Sequence, residues 1–154
     1  MYVPFSQLSK NSRVWIYQSD HHISENNKKI IDNQLTHLCN NWNAHGAEIH
    51  SSFIIDDFFI YLFADESIEM ASGCSIDNTV KVIKSLSDQL NIDFFNRLNV
   101  VYIQENKAEI ISLNKFKSII KPTTLVYNNM IRTKDEFENN QIVQVKDSWL
   151  SRFV

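Results

Sequence analysis

The chain has 154 residues, a formal net charge of −3, and 44% hydrophobic against 21% charged residues, proportions that fit a globular domain and exclude intrinsic disorder. Its two glycines and two prolines exclude collagen-like repeats, Gly-rich linkers and any phosphate-binding loop that needs several glycines. Cys39 and Cys74, the only cysteines, are too few for a disulfide scaffold.

No basic start followed by an apolar stretch marks a signal peptide. The longest apolar run, residues 58–64, is far below the roughly 20 residues that a membrane-spanning helix needs. The chain therefore reads as one cytoplasmic domain, 1–154, with reduced thiols. Its charge is uneven. Residues 1–29 carry four basic and two acidic side chains, residues 30–80 carry eight acids and no Lys or Arg, and residues 81–154 carry eleven basic and eight acidic ones. The acidic middle would repel nucleic acid and anionic lipid, so neither is expected as a partner. It reads as a solvated acidic face, with a cation site or a basic partner as the alternative.

Alternation of Val14 and Ile16 with Trp15 and Tyr17 predicts a strand at 13–18. Ser24 can cap a helix whose stripe is Ile31, Leu35, Leu38, Cys39 and Trp42, with Gly46 stopping it soon after. The aromatic-rich runs at 49–55 and 58–64, with Asp56-Asp57 between them, predict a hairpin that lacks the usual turn glycine. Ser75 or Asp77 then serves as N-cap for a second helix striped by Val80, Ile83, Leu86 and Leu90 and closed by Asn91. Asp93 through Leu98 fits one further turn.

Strands are expected at 99–104 and 108–113 around Glu105-Asn106-Lys107. A short helix holding Phe116, Ile119 and Ile120 should end before Pro122, with a strand at 123–128 after it. Thr133-Lys134-Asp135-Glu136 fits a capping box. Ile142, Val143 and Val145 form a last strand, and Trp149 and Phe153 lie on a final turn. The order β-α-β-β-α-β and onward defines an α+β fold with a largely antiparallel or mixed sheet and two main helices, its opening elements fitting a split β-α-β unit.

The stretch Ala71-Ser72-Gly73-Cys74-Ser75-Ile76-Asp77 places one of the two glycines in a turn feeding a helix. Free amides there, with the Ser72 and Ser75 hydroxyls, can bind an anion or lower a thiol pKa. Ser72, Gly73, Ser75 and Asp77 are thus candidate ligand-binding residues. Cys74 is a candidate nucleophile, with His45 as one of the imidazoles nearest in sequence. The plainer reading makes Cys74 a small buried hydrophobe and the serines caps. Asp77 opposes a thiolate by adding negative charge beside it. Gly73 is expected to take a positive φ or to allow a close approach that a side chain would obstruct.

His45 reads as a residue in the last turn of the first helix, favoured there by the helix dipole. His45, His50 and the acids at 56, 57, 65 and 66 include metal-ligand types, but no HExxH, paired CxxC or Ca²⁺-loop spacing occurs, so no metal or other cofactor is expected. The apolar C-terminus, Asp147 to Phe153, either docks on its own domain or anchors a partner.

Several stretches together, Ser12–Gln18, Trp42–Gly46, Ala71–Asp77, Asp93–Arg97, Val126–Asn129, Asp147–Trp149 and Arg152-Phe153, resemble a family of short bacterial proteins of unknown function that often carry the label ABC transporter ATPase. The resemblance covers nearly the whole chain and implies no activity or catalytic residue. Nor do the residues fit the label. Gly46 precedes Ala47-Glu48 and Gly73 precedes Cys74-Ser75, so neither begins the Gly-Lys-Ser/Thr that closes an ATP-binding loop.

The reading this favours is a binding domain without catalysis, for a small molecule or a protein, with an anion site at residues 72–77. A thiol-dependent enzyme using Cys74 is the alternative. Nothing in the sequence sets an oligomeric state.

Overall fold

The computed structural model describes residues 1–154. In chain order its elements are β1 (Arg13–Gln18), α1 (Glu25–Asn40), β2 (Asn43–Ala44), β3 (Ala47–Glu48), β4 (His50–Ile55), β5 (Phe59–Asp65), α2 (Gly73–Leu90), β6 (Asn99–Gln104), β7 (Lys107–Ser112), α3 (Leu113–Phe116), β8 (Leu125–Tyr127), α4 (Lys134–Asn140) and β9 (Ile142–Gln144). Short 3₁₀ turns lie at Phe5–Gln7, Val145–Asp147 and Trp149–Phe153.

The fold is α+β, as the element order predicts. A first sheet runs β1-β5-β4, a second β7-β6-β8-β9, and β2-β3 is a separate hairpin. Both β1 and β4 pair antiparallel with β5, so they run parallel to each other with β5 between them and α1 connecting them. The opening elements therefore form a split β-α-β unit. It ends there: β6 does not join β1 but starts the second sheet.

Strand β5 is buried on both sides, and its period of two divides the core. Ile60, Leu62 and Ala64 join the cluster made with Ile31, Leu35 and Leu38 of α1 and Ile83 and Leu86 of α2. Phe59, Tyr61 and Phe63 face the other way, toward Val101 of β6, Ile131, and the half-buried Ile110 and Phe137. Strand β6 divides in the same way. Val101 points at the first sheet, while Val100 and Tyr102 meet Phe116, Val126, Val145 and Leu150 on the far side. The result is four layers: α1 and α2, the first sheet, the second sheet, and α3 with the two C-terminal 3₁₀ turns. Trp149 and Phe153 lie on the last of these turns, as expected, and the tail docks through Leu150.

Local chemistry explains the boundaries. Ser24 and Thr133 cap α1 and α4 through their side-chain oxygens, but Glu136 returns its carboxylate to the amide of Arg132 rather than to that of Thr133. α2 begins earlier than expected: Ser72, not Ser75 or Asp77, is its N-cap. α1 also stops earlier, at Asn41. Gly46 instead forms, with His45, a two-residue turn between β2 and β3, their φ values being 78° and 52°. Two consecutive positive φ angles match the right-handed twist of a hairpin, and Glu105 (50°) and Asn106 (63°) do the same between β6 and β7.

The β4–β5 hairpin uses another device. The Asp56 carboxylate accepts hydrogen bonds from the amides of Phe58 (2.9 Å) and Phe59 (2.7 Å), while the Asp56 amide donates to the Phe59 carbonyl (3.0 Å). The side chain thus closes the turn with no positive φ, which is why no glycine is needed. Burial raises the Asp56 carboxyl above its ordinary 3.8, against the opposing pull of these two amides; Asp57 adds to the rise and Lys28 offsets it.

An acid raised on folding favours the native state while protonated and weighs against it once ionised, so this group's contribution falls as pH rises through its folded value. Asp56→Asn keeps the accepting oxygen and removes the charge. We expect it to be more stable than the wild type at pH 7, with the difference shrinking as pH falls through the raised folded value and essentially gone below about 4. Asp56→Ala, which orphans both amides, should lose about 1–3 kcal/mol. Urea denaturation of the three proteins at pH 3.5 and 7 checks both.

Candidate functional site

The residues singled out by sequence do not gather. Cys74 is exposed in the first turn of α2. His45 is exposed in the β2–β3 turn, not in a helix. No hydrogen bond links Cys74 to His45 or to any other side chain. The Ser72 oxygen accepts from the amide of Ser75 (3.1 Å), and the Ser75 hydroxyl donates to the carbonyl of Ser72 (2.9 Å). The Ser72 hydroxyl is thus engaged as the N-cap and the Ser75 hydroxyl bonds back to the backbone, while Asp77 is exposed on the helix. No three His, Cys, Asp or Glu side chains gather where they could hold a metal ion, and no helix is long and apolar enough to cross a membrane.

Gly73 overturns its expectation. Its φ is not positive, and a Cβ built on it meets nothing within 4 Å. It is the first residue of a helix, where any side chain fits. The glycine therefore marks neither strain nor a close approach.

A cleft forms elsewhere, at the outer edge of β1. The register Arg13↔Ala64, Trp15↔Leu62, Tyr17↔Ile60 turns the main-chain groups of Val14, Ile16 and Gln18 away from β5, because alternate residues of a strand bond to opposite sides. This edge begins to pair with residues 132–134: the Lys134 amide donates to the Ser12 carbonyl (2.8 Å) and the Val14 amide to the Arg132 carbonyl (3.0 Å). Beyond Val14 the two segments part. They rejoin at Gln18, whose Oε1 accepts from Asn129 Nδ2 (3.0 Å) while its Nε2 donates to the Asn99 carbonyl (3.0 Å).

Between these ties lies a cavity of about 610 Å³ lined by 13 residues. Trp15 and Tyr17 of β1, Val80 of α2, Phe94, Phe95, Met130 and Trp149 form its apolar walls, with Ile16 on the strand edge itself. Tyr17 packs edge-on to Phe95 at 5.7 Å, and Trp15 tilts against buried Trp42 at 5.6 Å. Phe95, Met130 and Trp149 remain exposed at 38%, 59% and 36%.

Gln18, Asn96, Asn99 and Asn129 supply carboxamides, and Arg97 is the one charged residue in the lining. Arg97 forms no ion pair. The cleft therefore offers aromatic surface, amide donors and acceptors, and one free cation.

A second cavity of about 530 Å³, more open, lies between α1 and the outer edge of β4. Its charges cancel, Glu25 and Asp32 against Lys28 and Lys29, and Lys28 is held by Glu25 (2.9 Å) and by Asp57 (2.6 Å).

Sequence reasoning missed Gln18, Asn96, Arg97, Asn99 and Asn129 as site residues. The stretches Ser12–Gln18, Asp93–Arg97 and Val126–Asn129, with Trp149, do converge on the β1 cleft, whereas Ala71–Asp77 lines none of it. The available signal was the run of asparagines beside exposed aromatics in segments too polar for core. No family model, no curated protein and no solved structure matches the chain, so the chemistry of the cleft carries the functional reading.

Two expectations follow. Gly73→Ala should stabilise the protein by a few tenths to about 1 kcal/mol, since alanine is the better helix former and the site has room; urea denaturation would show a raised midpoint at unchanged slope. Burial raises the Cys39 thiol to about 11, although the Ser51 hydroxyl opposes the shift. Iodoacetamide at pH 8 should therefore add one label, at Cys74, to the native protein and a second only in urea, as read by mass spectrometry.

Proposed function

We propose that this protein is a non-catalytic binding domain whose small-molecule ligand occupies the cleft at the outer edge of β1. One observation carries the reading. The 13 lining residues bring aromatic walls, four carboxamides and an unpaired arginine to one cavity, and none of them is Ser, Thr, Cys, His, Lys, Asp or Glu. Such a lining can stack, hydrogen-bond and attract negative charge, and it holds no nucleophile with a paired base. The volume falls within the range of small-ligand sites, which is about 300–1,000 Å³. The lone guanidinium selects a neutral or anionic ligand over a cation.

Trp15 and Trp149 both line the cleft, so their fluorescence reports occupancy. Benzoate and indole-3-acetate are expected to quench it saturably, and putrescine is not. Arg97→Ala should weaken the two acids about tenfold, the loss of one charge-assisted contact. Quenching that is unaltered by Arg97→Ala and Trp149→Ala, or absent for both acids at millimolar concentration, would overturn the assignment.

A further inference from the structure

The main chain at the cleft floor narrows the class of ligand. The register of β1 turns the amide and the carbonyl of Ile16 outward to the same side. Neither has a partner: the neighbouring edge groups bond to Arg132 and Lys134, the segments separate before reaching Ile16, and the Met130 amide turns away to Asn128 Oδ1 (3.0 Å). Ile16 lines the cavity. An unpaired donor and acceptor thus sit side by side on one extended residue, aimed at a space walled by aromatic rings.

We propose that the cleft takes a planar nitrogen heterocycle of the nucleobase type, presenting a donor and an acceptor on adjacent atoms to the Ile16 amide and carbonyl. The proposal rests on the cleft being the ligand site. A lactam edge (ring N–H beside C=O) and an amino-azine edge (ring N beside an amino group) both complement that pair, one in each orientation. The flat ring lies against Trp149 and Phe95, whose surfaces remain partly open at the mouth, as aromatic side chains accept base faces.

The carboxamides divide by role. Gln18 is already held at both ends, by Asn99 and Asn129, so it is a positioning residue that sets the distance between β1 and the Asn129 segment. The Asn99 side chain makes no hydrogen bond within the chain and is free to bond a further edge atom. Arg97 meets a phosphate or carboxylate substituent where the ligand carries one.

The test uses the full-length protein with adenine and hypoxanthine as probes. Their counterparts N6,N6,9-trimethyladenine and 1,9-dimethylhypoxanthine lack every N–H donor. Benzoate serves as the aromatic control and a single-stranded six-nucleotide oligoadenylate as the polymer arm. Affinity is read from tryptophan fluorescence, and the contact from the ¹⁵N-¹H signal of the Ile16 amide.

The expected result is saturable binding of adenine or hypoxanthine with a downfield shift of the Ile16 amide proton, and about tenfold or weaker binding of the methylated counterpart. Equal affinity for the methylated compounds, or an unmoved Ile16 amide in the bound state, overturns the heterocycle proposal. Benzoate binding without either heterocycle overturns it too, but leaves the cleft assignment standing. Oligoadenylate binding without either free heterocycle replaces a small ligand with a polymer. If no compound reaches the cleft, both the proposal and the underlying reading fail. Gln18→Glu, nearly isosteric but unable to donate to the Asn99 carbonyl, should weaken the heterocycle without lowering the urea midpoint by as much as a core substitution would.

Discussion

Every layer of this protein depends on β5 being apolar on both faces. An edge or one-sided strand would alternate, but Phe59 through Ala64 does not, and all six residues are at or below 1% exposure. Each face must find its own cover. The helices supply one, because the stripe of α1 and α2 matches Ile60, Leu62 and Ala64. The second sheet supplies the other against Phe59, Tyr61 and Phe63. Truncating one of these aromatics would cost about 3–5 kcal/mol, a large share of the stability of a domain this size. The requirement for two covers brings β6, β8 and α4 against a unit that the first 65 residues already define.

The cleft is a by-product of that packing. The segment before α4 follows β1 only as far as Val14. Past that point an open sheet edge is left inside the molecule's outline. An unpaired edge usually invites another chain, and proteins blunt it with charge, proline or cover. Here the Gln18–Asn129 bond closes the far end and the aromatic residues roof it. The edge can then accept something the length of one residue and not a strand. Leaving the Ile16 amide and carbonyl without protein partners would cost about 1–3 kcal/mol per group if they were dry, so water or a ligand must satisfy them.

Much of the fold was legible because its signals are local. Ser24 and Thr133 announce helix starts, alternation marks β1, and two aromatic runs separated by Asp56-Asp57 mark a hairpin even without glycine. The split β-α-β opening follows from element order. Departure of β6 to a second sheet does not, because Val100 and Val101 are equally apolar and only the unmet face of β5 decides where they go.

The site was less legible for a related reason. Ile16, Arg97, Asn129 and Trp149 share no face, period or motif, and what joins them is the point at which one pairing fails. Scarcity makes Gly73 conspicuous in the sequence, yet scarcity says nothing about geometry. At the first position of a helix, glycine and alanine have the same backbone. His45 was misplaced by five residues of helix that the chain does not make, Asn41 having ended it first.

Lys134 has a consequence for how the chain assembles. Its side chain is 5% exposed, and its ammonium donates to the carbonyls of Phe5 (2.7 Å) and Leu8 (2.9 Å) while lying over the Phe5 ring at 4.5 Å. These partners are 129 and 126 residues away in sequence. During synthesis the first sheet's strands are all available once Asp65 has emerged, but the carbonyls of Phe5 and Leu8 lack their Lys134 partner until about seventy further residues have been added. Loop closure of that span is entropically slow. Residues 1–3 and Ser9 can bond to residues 39–65 in the meantime. The Phe5–Leu8 stretch between them is completed late, and throughout that interval β5 presents Phe59, Tyr61 and Phe63 to whatever surrounds the nascent chain.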